Sequence, residues 1–522
     1  MMPFEQVRAM RRTVTTIVLL AAAGASAAAQ QTLEGRIQAV MDRPEFRHAS
    51  WGIEFYDLTA RLPVYSVNAD RLFVPGSTTK LLTVGTSLEL LGSDHRFKTR
   101  VYRTGPVRGG TLDGDLVLVA SGDPNLSGRL AFGGDTLGWV NEDHSYGGMP
   151  LASDPLAVLR GLAKQVAAMG IKRVKGHVIV DASMFPEGKR ELGTNVVLAP
   201  IVVNDNVVDV VVTPGAKEGD KVGVTVTPQT SYLTVENTLV TGAAESQRRV
   251  RATEDSSTAD VYVVRLEGSV PAGTAPFNSR RNVASPTRFA EVAFAMVLNE
   301  AGVKAAVRAS KDVPDFRALA ARYADSTAVA EHVSAPFAAE ATVILKMSQN
   351  LHASLMPLLW PKLKGETDTT RTGFDLEREW LQRARLDLGG ADQADGAGGD
   401  AFFSPSFMVH YLEHVATRPW AAVFRRSLPV LGKDGTLAAI QVTSPAAGNV
   451  FSKTGTYGKL DALNRRQTIH GKALGGYFTS KSGRKIAFSV VLNNLAVERG
   501  NPTEVAGQAV GEVAAIAWEF IP

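Results

Sequence analysis

The 522-residue sequence contains no cysteine. That absence alone removes disulfides, thiolate metal sites, a cysteine nucleophile and a cysteine-linked lipid anchor. A chain this long does not need disulfides, because it can bury a large core, and the usual domain size divides it into two to four domains. Net charge is also small: 56 Lys and Arg stand against 52 Asp and Glu, a formal +4. Part of that excess belongs to Arg8, Arg11 and Arg12 at the N-terminus, so the remainder is nearly balanced and nothing in it points to nucleic acid. No Gly-x-Ser-x-Gly elbow occurs, which argues against a conventional Ser-His-Asp hydrolase. There is no repeat of fixed period, and the one low-complexity patch, GGADQADGAGGD, reads as a loop.

Long apolar runs are likewise missing, except near the start. A basic stretch, the run TVTTIVLLAAAGASAA and a small-residue site at Ala27, Ala28 and Ala29 before Gln30 read as a cleaved secretory signal over residues 1–29. The run is short and rich in alanine, so it spans a bilayer poorly. The expectation is an exported protein, periplasmic or in the cell envelope, for which peripheral association with membrane or cell wall is compatible.

What is present falls into three blocks. SWGIEFYDLTARLPVYSV (50–67) predicts two strands around a polar turn, followed by FVPGSTTKLLTVGTSLELLG (73–92), whose Leu81, Val84, Leu88 and Leu91 have helical spacing. From Phe97 to Ala309, short apolar runs such as GDLVLVASGDP, GHVIVDASMF and NVVDVVVTPG alternate with Gly, Asp, Asn and Pro turns. Only DPLAVLRGLAKQVAAMG reads clearly as a helix there, capped by Asp154 or Ser153. Helical patterns return with APFAAEATVILKMSQNLHASLMPLLWPKL and SPSFMVHYLEHVA. The chain closes with a hairpin turning at Ser482 and Gly483 and the helix PTEVAGQAVGEVAAIAWEF. One mixed domain, residues 30–96 and 310–522, interrupted by a strand-rich region over 97–309 of one or two subdomains, explains this order.

The chemistry lies in an ordered set of three short motifs. Ser77 and Lys80 form Ser-x-x-Lys, Ser348 and Asn350 form Ser-x-Asn, and Lys453, Thr454 and Gly455 form Lys-Thr-Gly, the order found in enzymes that acylate a serine with the help of a lysine. Single matches carry little weight, because Ser482 to Lys485 also fits the first motif, Ser66 to Asn68 the second, and Lys481 to Gly483 reads Lys-Ser-Gly. Only one set has the right order and context.

Each residue type suits a task. Ser77 at a helix start faces backbone N–H groups and the positive end of the helix dipole, which favour the negative charge of acyl transfer. Its hydroxyl needs a base, and Lys80, one turn on, can serve if burial and a second cation, Lys453, lower its pKa. Ser348 can pass a proton to a leaving amine, while Asn350 can hold Lys80 and bind a substrate amide. Lys453 with Thr454 and Thr456 suits a terminal carboxylate.

Two other patterns compete. His410, Glu413 and His414 fit His-x-x-Glu-His, which would place both histidines on one helix face, but no recognisable third zinc ligand follows, so no metal site is assigned. GAGGDA, Gly396 to Ala401, resembles a dinucleotide loop without the surrounding strand and helix, and no cofactor is expected.

With these motifs, and with GTLDGDLVLVASGDPNL, VVNDNVVDVVVTPG, DGTL (434–437) and GGYFTSKSGRKIAFSVVLNN, the chain resembles the low-molecular-mass penicillin-binding proteins. The branch concerned comprises D-alanyl-D-alanine carboxypeptidases and endopeptidases with a large insertion after the nucleophile helix. The resemblance implies an α+β fold, a serine transpeptidase/β-lactamase-like domain whose antiparallel five-stranded sheet is flanked by helices. It implies peptidoglycan stem peptides as substrates and acylation by β-lactams. It also implies Ser77 as nucleophile, Lys80 as base, Ser348 as proton relay, Lys453 to Thr456 (with Gly455) as carboxylate-binding strand, and the N–H groups of Ser77 and Thr456 as oxyanion hole. A β-lactamase or esterase on the same fold, and a non-catalytic peptidoglycan-binding protein, remain alternatives. The sequence departs from the family pattern at Tyr457, in the long GKLDALNRRQTIHGKAL segment after it, at DGAGGDAFF, and at ELGTNVVLAP, which lacks aromatic residues.

Overall fold

A computed structural model describes residues 32–130, 135–258, 261–309 and 311–522. The signal segment expected over residues 1–29 lies outside them. The strands Leu62–Val67, Ser50–Asp57, Lys485–Leu495, Arg466–Thr479 and Val450–Asp461 form, in that spatial order, a five-stranded antiparallel sheet, as the α+β reading required. Alternation along Lys485–Leu495 shows how it is covered. Ile486, Phe488, Val490 and Leu492 share a core with Val510, Val513 and Ala514 of the C-terminal helix Pro502–Phe520, while Ala487 faces the opposite layer with Leu81, Met408 and Tyr411. Because side chains alternate along a strand, a sheet covered on both faces becomes almost wholly apolar.

The helix Lys80–Leu91 is the centre of that opposite layer, and every residue from Lys80 to Leu88 is buried. Tyr411, on the helix Pro405–Ala416, donates its hydroxyl to the Leu81 carbonyl at 2.8 Å. Gly85 makes this approach possible, since a Cβ there would lie 1.9 Å from the Tyr411 oxygen. The glycine in mid-helix thus trades helix propensity for a close crossing that fixes where Lys80 sits.

The interrupting region has its own sheet, Ala328–Val333, Lys98–Arg103, Leu116–Val119 and Val178–Asp181, with helices packed on it. Its last strand lies beyond residue 309, so the boundary expected near 310 cuts between this sheet and a strand that completes it. The region also holds a second long helix, Pro286–Glu300, that the sequence reading passed over. Ser285 caps it, proline occupies its first turn, and Phe289, Ala290, Ala293, Phe294 and Val297 are buried at helical spacing, which is a legible signal. An unread helix, Leu33–Met41, also covers the five-stranded sheet near the chain start.

The long segment after Tyr457 is a ribbon. Val450–Asp461 and Arg466–Thr479 stay paired from Val450 opposite Phe478 to Asp461 opposite Arg466, with an irregularity between Tyr457 and Gly458. The added residues therefore extend the strand pair outward from the sheet, leaving Leu460 and Leu463 exposed at the tip.

Candidate active site

Three elements meet around Ser77. The chain enters through Val74, whose N–H and carbonyl are both held by the side-chain amide of Asn493. A turn of 3-10 helix, Gly76–Thr79, then carries Ser77 into the Lys80 helix. Gly76 has φ +52, and a Cβ on it would lie 2.6 Å from the Thr456 nitrogen. A Cβ on Gly455 would lie 1.8 Å from the Pro75 carbonyl oxygen. Two glycines therefore let the strand Val450–Asp461 press against the start of the helix, setting Thr456 beside Ser77.

The second element is the turn between the helices Phe337–Lys346 and Asn350–Leu363, which presents Ser348 with φ +63, a left-handed conformation unfavourable for a residue with a Cβ. The third is the glycine-rich loop 395–399. Asp395 accepts hydrogen bonds from the backbone N–H groups of Ala397, Gly398 and Gly399, and the Ala397 carbonyl turns toward Lys80. The GAGGDA segment is thus the rear wall of this site, set between the short paired strands Ala391–Gln393 and Ala401–Phe403, with no helix opening from it.

All five candidate catalytic residues converge. Lys80 Nζ lies 2.7 Å from Ser77 Oγ, 2.5 Å from Asn350 Oδ1, and 3.3 Å from both Ser348 Oγ and the Ala397 carbonyl. Lys453 Nζ lies 2.9 Å from Ser348 Oγ and 2.8 Å from the Thr454 carbonyl. Ser348 therefore bridges the two lysine side-chain nitrogens. Both lysines are fully buried. Burial pushes Lys80 down to about 7, against weaker opposing pulls from Glu191 and Asp395. Lys453 is pushed well below its ordinary value by burial first, then by Lys80 and Lys472. The site can hold an uncharged amine near neutral pH against the hydroxyl of Ser77.

Thr454 donates its hydroxyl to Thr436 at 2.7 Å, and Thr456, exposed at the mouth, accepts from Lys472 Nζ at 2.7 Å. Lys472 was missed in the sequence. It lies on Arg466–Thr479 directly across from Thr456, and burial lowers it to about 8. Only pairing register places it there, which a single strand does not disclose. Ser77, Ser348, Asn350, Thr454, Thr456, Tyr457 and Lys472 line a cleft of about 770 Å³. Its opposite wall comes from the inserted region, residues 141–148 with Leu192 and Gly193. Tyr146 there donates to the Ser348 carbonyl at 2.5 Å and accepts from Asn350 N–H at 3.0 Å. Gly193, in the ELGT stretch, sits so near that a Cβ would lie 2.4 Å from the Asn350 amide nitrogen.

His410, Glu413 and His414 line a different cavity, of about 610 Å³. Glu413 is ion-paired with Arg61 at 2.7 Å, and His410 Nδ1 lies 2.8 Å from the Ser406 carbonyl, four residues back on its own helix. The acid the zinc reading needed is committed to an arginine. Among the described residues, the one set of three potential ligand atoms that closes together is Asp143, His144 and Asp205, all buried in the inserted region.

Residues 33–515 match the D-Ala-D-Ala carboxypeptidase 3 (S13) family. A D-alanyl-D-alanine carboxypeptidase of Actinomadura sp. strain R39 is 28% identical over 480 residues, 88% of this chain and 80% of its own. The D-alanyl-D-alanine carboxypeptidase DacB of Haemophilus influenzae is 22% identical over 82% of this chain and 81% of its own. The crystal structure of penicillin binding protein 4 (dacB) from Haemophilus influenzae superposes with a TM-score of 0.71 at 19% identity, covering 92% of this chain and 99% of that one. A complex of that protein with a β-lactam gives 0.66 at 18% identity, with 92% and 98% coverage. The chain belongs to the D-Ala-D-Ala carboxypeptidase (S13) family, a family of serine-type hydrolases.

Proposed function

From that membership we propose that Ser77 of this D-Ala-D-Ala carboxypeptidase is the nucleophile that takes the acyl group of peptidoglycan stem peptides, releasing the terminal D-alanine. The observation that carries the assignment is the 2.7 Å contact of Ser77 Oγ with a buried lysine whose pKa is lowered to about 7. In its neutral form Lys80 takes the hydroxyl proton as Ser77 attacks the scissile carbonyl. The backbone N–H groups of Ser77 and Thr456 face the carbonyl oxygen as it becomes negative. Ser348, in reach of both lysines, relays the proton to the departing amine, and Asn350 holds Lys80 in place. Lys453, Thr454, Gly455 and Thr456 form the edge that receives the substrate carboxylate.

Water then attacks the ester carbonyl, giving a proton to neutral Lys80; the bond to Ser77 Oγ breaks, Lys80 returns that proton to Ser77, and the shortened peptide leaves as its carboxylate, slowly where the acyl group comes from a β-lactam. A peptide cross-link presents the same acyl donor with a larger amine, so endopeptidase cleavage uses the same steps. β-Lactams enter as mimics of the terminal dipeptide and leave a slow ester on Ser77. The alternative of a β-lactamase needs a group that activates water against that ester; Asp395, behind Lys80, is occupied by three backbone N–H groups. Export to the periplasm or cell envelope fits the N-terminal sequence, and no described helix is long and apolar enough to cross a membrane.

Intact-mass spectrometry after exposure to benzylpenicillin tests the assignment. The expected result is a single adduct on the wild-type protein that persists for minutes and is absent from Ser77→Ala. An adduct that survives the substitution removes Ser77 from its role, and release within a second supports the β-lactamase reading instead.

A further inference from the structure

A second buried charged cluster lies beneath the Ser348 turn, and most of it belongs to the inserted region. At its centre is Asp205, fully buried and at φ +53, between Asn204 at φ +51 and Asn206 at φ +52. Three successive non-glycine residues in the left-handed region are a strained arrangement that persists only where the surroundings hold it. Here they do. Asn206 bonds to Val203 N–H and to the carbonyls of Val197 and Ile201, and Asn204 to the Val207 carbonyl and Asp209.

The turn aims Asp205 at four partners. One oxygen accepts from Arg129 and meets His144 Nε2 at 2.8 Å and Gln349 Nε2 at 3.4 Å; the other meets His352 Nε2 at 3.0 Å. The second ring nitrogen of each histidine also faces acid, His144 Nδ1 at 3.0 Å from both Asp209 oxygens and His352 Nδ1 at 2.9 Å from Glu340. A neutral imidazole donates from one nitrogen only, so two carboxylates on opposite sides select the doubly protonated cation. Asp143 and Asp205 have the donors of a metal site, but the Arg129 guanidinium already pairs with both.

Everything on the catalytic side of this cluster is the Ser-x-Asn turn or the helices flanking it. Gln349, buried between Ser348 and Asn350, donates to Asp143 and Ser145 at 3.1 Å each. Arg129 reaches Met347 Sδ at 3.4 Å, and Asn125 holds Glu340. Tyr146 closes the arrangement from the cleft with its two bonds to the turn's backbone. We infer that the inserted region is a positioning element for acyl transfer: Tyr146, and behind it Gln349 tied to the Asp205 cluster, hold Ser348 and Asn350 in the strained turn that keeps both in reach of Lys80. The inference rests on the proposed roles of Ser77, Lys80, Ser348 and Asn350. Tyr146 touches the turn and not the reacting atoms, so its effect falls on the rate of acylation rather than on the first encounter.

Tyr146→Phe removes one buried oxygen, bonded to the backbone of the Ser348–Asn350 turn, from a residue that is 44% exposed overall, so the apolar core is undisturbed. Stopped-flow acylation with a fluorescent penicillin separates non-covalent binding from the acylation step. The expected result for Tyr146→Phe is an acylation rate constant at least tenfold lower, with the binding constant within about twofold and the unfolding temperature unchanged. Asp205→Asn, which keeps the shape but removes the central charge, should lower the same rate constant if it folds; where it does not fold, Tyr146→Phe decides. Unaltered acylation in Tyr146→Phe, or a loss confined to binding, overturns the inference. Wild-type protein run alongside keeps the two readings apart: if it forms no adduct at Ser77 the proposed mechanism has failed, whereas a normal wild type with an equally fast Tyr146→Phe refutes the positioning role alone.

Discussion

Two clusters of buried charge lie back to back in this molecule, and the same burial drives them in opposite directions. Around Ser77, Lys80, Lys453 and Lys472 are buried together with no carboxylate bonded to any of their ammonium groups among the described residues, and their pKa values fall. Around Asp205, His144 and His352 are buried just as deeply, but each lies between two carboxylates, and they rise to about 10 and about 9 although burial alone would lower them. Desolvation disfavours charge in both places; partners decide whether it is offset. Where buried amines have no carboxylate bonded to them, the neutral form is favoured, as the proposed base at Lys80 requires. Where buried cations are surrounded by acid the protein obtains a fixed ionic strut, which is a scaffold. The Ser348–Asn350 turn is the boundary, held on one side by the strut and bonded to the amines on the other.

The sharpest way to break the contrast is to restore a permanent charge on the lysine side. Lys80→Arg keeps a cation at the position but cannot lose its proton. General-base assistance is worth roughly 100-fold to 10,000-fold, so penicillin acylation should fall by at least about a thousandfold, with circular dichroism confirming a folded protein. A rate within about tenfold of wild type would mean that Lys80 serves as a local charge only. On the strut side, His352→Gln leaves Asp205 and Glu340 without the cation between them, and losing one partner of a buried ion pair costs roughly 3–5 kcal/mol of stability.

The pH dependence of that loss identifies its origin. His352 has a folded value of about 9 against an ordinary 6.5, so its stabilisation is complete below about pH 6.5 and disappears as pH rises through 9. Urea unfolding of wild type and His352→Gln should differ most at pH 6.5 and least at pH 10; a difference constant with pH would point to packing rather than charge. The smallest effect is expected at Lys485. It belongs to a Ser-x-x-Lys match at a hairpin turn and is exposed, so Lys485→Arg should leave acylation and stability within experimental error of wild type.

Legibility divides along the same line. Apart from Lys472, which only strand register brings in, the lysine side was written in short motifs: Ser77 and Lys80 are one helical turn apart, Ser348 and Asn350 flank one turn, and Lys453 to Thr456 are one stretch of strand. Local geometry brings each set together whatever the rest of the chain does. The strands at 50–67 and the hairpin around Ser482 and Gly483 were likewise legible locally, whereas the five-stranded sheet that joins them came from the family resemblance. The helix Pro286–Glu300 was just as legible, with its Ser-Pro start and apolar spacing, and was passed over inside a region read as strands.

The strut side was not legible at all. Its contacts join residues far apart in the chain: Tyr146 and Ser348 are separated by 202 positions, and Asp205 and His352 by 147. Aspartate and histidine in turn-like sequence ordinarily mean solvent-exposed loop. By itself the sequence placed the candidate residues of each motif side by side, because covalent spacing along a helix or strand is a local property. Only the tertiary structure decided which way the pKa values of those residues move, because desolvation and partner charges are set by whatever the fold packs against them.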